Sequence, residues 1–180
     1  MDLITTALIG LVTYTGVGMT MPDPQYPTLT VSMTGYNAVP AQTDGDPMTT
    51  ASGARSNPEV VAARSVDLRD ELPFGTIIEI VGTSATSSPN CAFELVEEHL
   101  GYRVIADSMH PRKKNQIDVL LPAERSVRAA GKTVNPAVAL GVCKKVEVRI
   151  VGTTTIKDIP KNQATLKKIV DEQRLALKQF

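Results

Sequence analysis

The chain of 180 residues has no tryptophan, and aromatic residues make up only 4% of it. A binding groove walled by many stacked aromatic rings is therefore not expected. An excess of one charge is also missing: 19 Lys and Arg face 19 Asp and Glu. Domains that bind nucleic acid usually carry a basic surplus, so no nucleic-acid partner is expected. Histidine is scarce, with only His99 and His110, and there is no CxxC pair and no His/Cys group at zinc spacing. Neither a metal centre nor a histidine-based triad is expected, and no motif points to a cofactor. Cys91 and Cys143 are the only cysteines; they permit one disulfide without requiring it. No internal repeat is visible.

Long apolar runs are limited to one, LITTALIGLVTYTGVG at 3–18. It lacks the positive start of a secretory signal, since Asp2 is the only charge before it, and no A-x-A site comes after it. It is short and rich in Thr and Gly for a membrane span. Two readings stay open, a signal or anchor and an ordinary or partner-bound segment. The three prolines of MTMPDPQYPT, residues 19–28, read as a linker.

Beyond the linker the chain is strand-like. LTVSMTGY (29–36), EVVAARSV (59–66), TIIEIVG (76–82), YRVIAD (102–107), QIDVLLP (116–122) and KKVEVRIVG (144–152) are short, rich in β-branched residues and partly alternating. Turn-forming stretches separate them, among them NAVPAQTDGDP (37–47), where Asp44 and Asp46 read as turn residues. AERSVRAAGK (123–132) has helical composition. After Pro160 neither Gly nor Pro occurs, and Leu166, Ile169, Val170 and Leu177 recur at helical spacing. That segment predicts a terminal amphipathic helix, which either packs on its own domain or binds an assembly partner. The division expected is an N-terminal segment and linker over 1–28, a small β-barrel or sandwich over 29–152 and the helix over 153–180.

Several of these pieces, in this order, carry a resemblance. They are Thr34-Gly35-Tyr36, Thr50-Ala51-Ser52-Gly53, Pro73-Phe74-Gly75-Thr76, Ala106-Asp107, Ile117-Asp118-Val119 and the Ala139-Leu140-Gly141 stretch before the last strand. Together they resemble the 3D domain, a family named for three aspartates and found in membrane-bound lytic transglycosylase A and in stationary-phase muralytic proteins. The resemblance spans about residues 30–152. It implies a mainly β fold, a six-stranded double-psi β-barrel, here with a short helix and an added C-terminal α-helix. It also implies cleavage of peptidoglycan glycan strands, and hence a cell-envelope or secreted location.

Carried over position by position, the resemblance makes Asp118 the acid/base. Asp107 then holds or tunes it, and Asp67 is the third aspartate. Ser108, Thr34 and Tyr36 become candidates for binding the sugar. Two departures stand out. Asp67 lies six residues before Pro73 where the family pattern has five, and Ser108-Met109-His110-Pro111 replaces the family's T-G-G after the second aspartate.

The residues themselves bear on this implied chemistry unequally. Asp118 interrupts the apolar run Ile117, Val119, Leu120, Leu121, where a turn residue has no reason to be. Asp107, succeeded by Ser108 and Pro111, also suits an ordinary turn. Cleaving an acetal needs a carboxylic acid that stays protonated near neutral pH, and burial or a neighbouring carboxylate achieves that. In a lytic transglycosylase the muramyl 6-hydroxyl attacks its own anomeric carbon, so one carboxyl can act as acid and then as base. His110, beside Pro111, reads as an exposed loop residue. Arg112, Lys113 and Lys114 form a solvated basic loop that could also steer an anionic polymer. The competing expectation is a catalytically silent wall-binding or assembly module on the same barrel, such as a virion-associated tail component. A third is another glycoside hydrolase on that fold.

Overall fold

The computed structural model describes residues 26–42, 46–83 and 90–177. The apolar run 3–18, most of the proline-rich linker and Asp44 lie outside the described residues. Six strands close a barrel: β1 (Thr28–Tyr36), β2 (Val61–Arg64), β3 (Thr76–Thr83), β4 (Tyr102–Ser108), β5 (Gln116–Leu120) and β8 (Cys143–Thr153). A separate hairpin joins β6 (Val127–Ala129) to β7 (Lys132–Val134). The helices are two short ones, α1 (Phe93–Val96) and α2 (Pro136–Leu140), and the longer α3 (Gln163–Leu177). The chain is thus mainly β, with the closed six-stranded barrel and the terminal helix that the sequence predicts.

The strands run in the order β1-β5-β2-β4-β3-β8 around the barrel. β1 pairs in parallel with β5, and β2 with β4, while the remaining contacts are antiparallel. Exchanging β1, β2 and β3 for β4, β5 and β8 leaves this scheme unchanged. The internal twofold passes through the β2·β5 pair, where Ala63 stands opposite Asp118. Two interlocked halves of this kind are the double-psi arrangement.

Burial explains why some strands alternate and others do not. Met33, Ala62, Ile105, Ile117, Val119, Val146 and Val148 fill the barrel interior. A second apolar layer lies outside the wall, where Val61, Ile77, Val104, Ala106 and Leu120 cluster with Leu166 and Val170 of α3. Strands covered on both faces read as continuous apolar runs, as VIA (104–106) does. α3 packs on its own barrel, with Leu166 and Val170 buried and Leu177 exposed. Its glutamines reinforce the docking. Gln163 accepts from the Tyr102 N–H (3.0 Å) and donates to the Tyr102 carbonyl (2.7 Å). Gln173 does the same to Thr153, at 3.1 and 2.8 Å.

Two details differ from the sequence reading or complete it. The helical composition of 123–132 does not produce a helix: residues 127–134 form the β6–β7 hairpin. Its two turn residues, Ala130 and Gly131, sit at φ 48° and 78°, the positive-φ geometry that suits a two-residue hairpin turn. Cys91 and Cys143 are joined in a disulfide that ties the segment before α1 to the start of β8.

Candidate active site

The register of the strands brings the candidate residues together. Thr34 of β1 stands beside Asp118 of β5, Asp118 beside Ala63 of β2, and Ala63 beside Asp107 of β4. Paired residues on neighbouring strands project to the same face. The row Thr34–Asp118–Ala63–Asp107 therefore lies on one surface, with a single methyl group between the two acids. That surface is the outside of the barrel, because the strand neighbours Ile117 and Val119 both point into the interior.

Asp107 reaches this row through an irregularity. Along β4, Val104 and Ala106 belong to the outer layer and Ile105 to the interior. Plain alternation would turn Asp107 inward beside Ile105. The register shift between Ala62 and Ala63, which pair with Ile105 and Asp107, leaves Ala106 as an extra residue. The bulge re-aims the carboxylate outward, a known use of bulges beside functional sites.

The row floors a cleft of about 550 Å³ that Asp107, Asp118, Ala63, Tyr36 and Ser108 line. Thr49, Ala51, Met109, His110 and Lys113 also line it.

The two acids are held differently. Asp107 accepts three hydrogen bonds, from the Ala51 N–H (2.9 Å), its neighbour Ser108 N–H (2.8 Å) and the Tyr36 hydroxyl (2.9 Å). The Ala51 donor comes from the Thr50–Gly53 turn. Gly53 there adopts φ 83°, a conformation that favours glycine, and the Ser52 N–H bonds the Ala106 carbonyl at 3.2 Å. Burial and the Asp107 charge push the Tyr36 phenol above its ordinary range, so it stays a donor.

Asp118 accepts one bond, from the Thr34 hydroxyl at 2.9 Å. Gln116 donates its side-chain amide to the same hydroxyl at 2.8 Å. That contact takes up an acceptor site on Thr34 and commits its proton to Asp118 Oδ1. Among the described residues no donor reaches Asp118 Oδ2. Burial pushes the Asp118 carboxyl up to about 6, against the lowering effects of Thr34 and Lys113. Asp107 adds the smallest contribution, as two strand spacings, about 10 Å between backbones, would suggest. Burial does most of the work. At pH 7 about a tenth of Asp118 is protonated, against well under 1% for an exposed aspartate.

The other predicted residues fall at varying distances from this centre. Ser108 lines the cleft with its backbone N–H committed to Asp107. Thr34 acts on Asp118, and Tyr36 on Asp107. Asp67 is exposed in the short turn Val66–Leu68 and is not among the cleft-lining residues. Its Oδ2 accepts from the Asn115 N–H at 2.9 Å. Bonds from the Ser65 hydroxyl and that amide hold its carboxyl below the usual range. Asn115, at φ 45°, leads directly into β5 and accepts from the Ser32 N–H at 2.9 Å. Asp67 thus braces the entry to the strand that carries Asp118. Exposed His110 lines the cleft, and Asp46 accepts from the Met48 N–H at 2.9 Å, as a turn residue does.

Sequence reasoning gives no role to Gln116 or Ala63, whose contributions, an amide donor and a small volume, leave no motif; Ala51 lies within the Thr50-Ala51-Ser52-Gly53 stretch, but its backbone N–H is not singled out there. Among the described residues no three His, Cys, Asp or Glu side chains gather as metal ligands. No family model matches the chain, and no curated protein matches it. The geometry defines an open cleft on a double-psi barrel, with one carboxyl raised by burial and a second that accepts three hydrogen bonds on its floor.

Proposed function

We propose that this protein cleaves peptidoglycan glycan strands as a lytic transglycosylase, with Asp118 as the single general acid and base. The observation that carries the reading is Asp118 itself, half-buried on the floor of an open cleft with its carboxyl raised to about 6. Its protonated Oδ2 would give a proton to the bridging oxygen as the anomeric centre takes on oxocarbenium character. The resulting carboxylate would then take the proton of the muramyl 6-hydroxyl as that oxygen attacks the same anomeric carbon. The products are a 1,6-anhydro end and a new free hydroxyl, and no water is consumed. This scheme needs one carboxyl near the bond. It accords with an Asp107 that lies two strands away and is occupied by three donors. Asp107 supplies negative charge and, through Ala51 and Tyr36, fixes the cleft wall. Asp67 positions β5.

The proposed setting is the cell envelope or its exterior, where disulfides such as Cys91–Cys143 persist. The test uses purified peptidoglycan with the wild type and with Asp118→Asn, and product masses as the readout. Anhydro-muropeptides from the wild type alone are expected. Co-sedimentation of both proteins with the wall and no soluble product from either would overturn the reading and leave a silent wall-binding module.

A further inference from the structure

A second groove continues from the cleft. Ser56 lines both, and Thr49 of the cleft wall pairs through its backbone with Arg55 of the second groove. The groove, of about 430 Å³, runs between residues 54–58 and the segment 156–161 that precedes α3. Its floor is apolar, with Ala54, Ile156 and Ile159 belonging to or packing on the outer layer. Its rim carries Arg55, Lys157 and Lys161, all exposed. No acidic side chain lines it. The walls are tied together, since Asn57 Nδ2 donates to the Lys161 carbonyl at 3.0 Å while Asn57 Oδ1 accepts from the Glu59 N–H at 3.0 Å. The nearby Asp158 carboxylate is engaged by the Thr155 hydroxyl.

An apolar floor under three exposed cations suits a short, flexible chain that bears both methyl groups and carboxylates. A neutral N-acetylated sugar brings a methyl group but no carboxylate, and a purely ionic polymer does not use the floor. We propose that this groove takes the carboxylate-bearing peptide stem of the saccharide next to the bond that is cleaved. The inference rests on the peptidoglycan reading of the cleft and adds a specificity element: strands with peptide stems bind better than bare glycan.

The test separates this claim from the claim of cleavage by reading binding in a protein that cannot cleave. Asp118→Asn is titrated, with fluorescence anisotropy as the readout, with soluble glycan strands that keep their stems after an endopeptidase cuts the cross-links and with strands stripped of stems by an amidase, at low and high salt. The same is done after adding Arg55→Glu, Lys157→Glu and Lys161→Glu. The expected result is a preference for stem-bearing strands of about tenfold, the sum of three modest exposed charge contacts. That preference should shrink at high salt and vanish in the triple variant. A parent with no preference, or a triple variant that keeps it, overturns the proposal. Circular dichroism confirms that the triple variant is folded, and single charge reversals replace it if it is not. If the wild type releases no anhydro-muropeptides but the preference is present and lost as described, the cleavage reading fails and the stem groove stands.

Discussion

Asp118→Asn should make the protein more stable, and only at the pH where the native carboxyl is forced to ionise. The folded-state value is about 6 against an ordinary 3.8. Below pH 3.8 both the folded and unfolded chains hold the proton, so the site contributes no penalty. Between the two values the folded chain holds a proton that the unfolded chain has released. Stability then falls with rising pH, by about 1.4 kcal/mol per pH unit. Across this interval of about two pH units the loss sums to about 3 kcal/mol, and it stays constant above pH 6. Asparagine keeps the acceptor for Thr34 and removes the ionisation. The variant should therefore match the wild type near pH 4 and exceed it by about 3 kcal/mol at pH 7 to 8. That is roughly 6–12 °C in melting temperature for a chain of this size. Urea denaturation of both proteins at unit intervals from pH 4 to pH 8 measures the difference. A stability difference that does not vary with pH would refute the claim that burial raises the Asp118 carboxyl, and with it the acid role.

Thr34→Val removes the donor that lowers the Asp118 value, so the carboxyl should rise by about one further pH unit. A carboxyl carbon titration followed by NMR would show it, and the alkaline limb of any cleavage profile should move to higher pH. Ala63→Leu fills the gap between the two acids and should reduce wall cleavage by about a hundredfold while far-UV dichroism stays unchanged. An Ala63→Leu variant as active as the wild type would show that substrate does not sit over this row. Reducing the Cys91–Cys143 bond frees a loop with a sequence separation of 52. By the loop-entropy relation this should cost about 4 kcal/mol, measured as a lower urea midpoint in the presence of reductant.

Part of this architecture is legible in the residues. β8 announces itself because one face is buried and the other is not, so Val146 and Val148 alternate with charged neighbours. α3 shows its period because only one stripe of it is covered. Asp118 is conspicuous because it breaks an apolar run. The 127–134 hairpin is not legible, since its composition suits a helix and only its turn, with Ala130 and Gly131 at positive φ, makes it a strand pair. The state of the two cysteines is undetermined until the fold brings residues 91 and 143 together.

Local alternation and side-chain type are recorded in any linear pattern. They were enough to define the six barrel strands, the terminal helix and the acid most worth testing. Which groups meet was settled by the folded chain alone. A one-residue bulge turns Asp107 from the interior to the cleft, and Ala63 spaces it from Asp118. Gln116 aims the Thr34 proton, and Asp67 becomes a brace outside the cleft instead of a third acid within it. Strand register sets the facing of a side chain, and burial sets the strength of its charge. Each depends on partners that are far away along the chain.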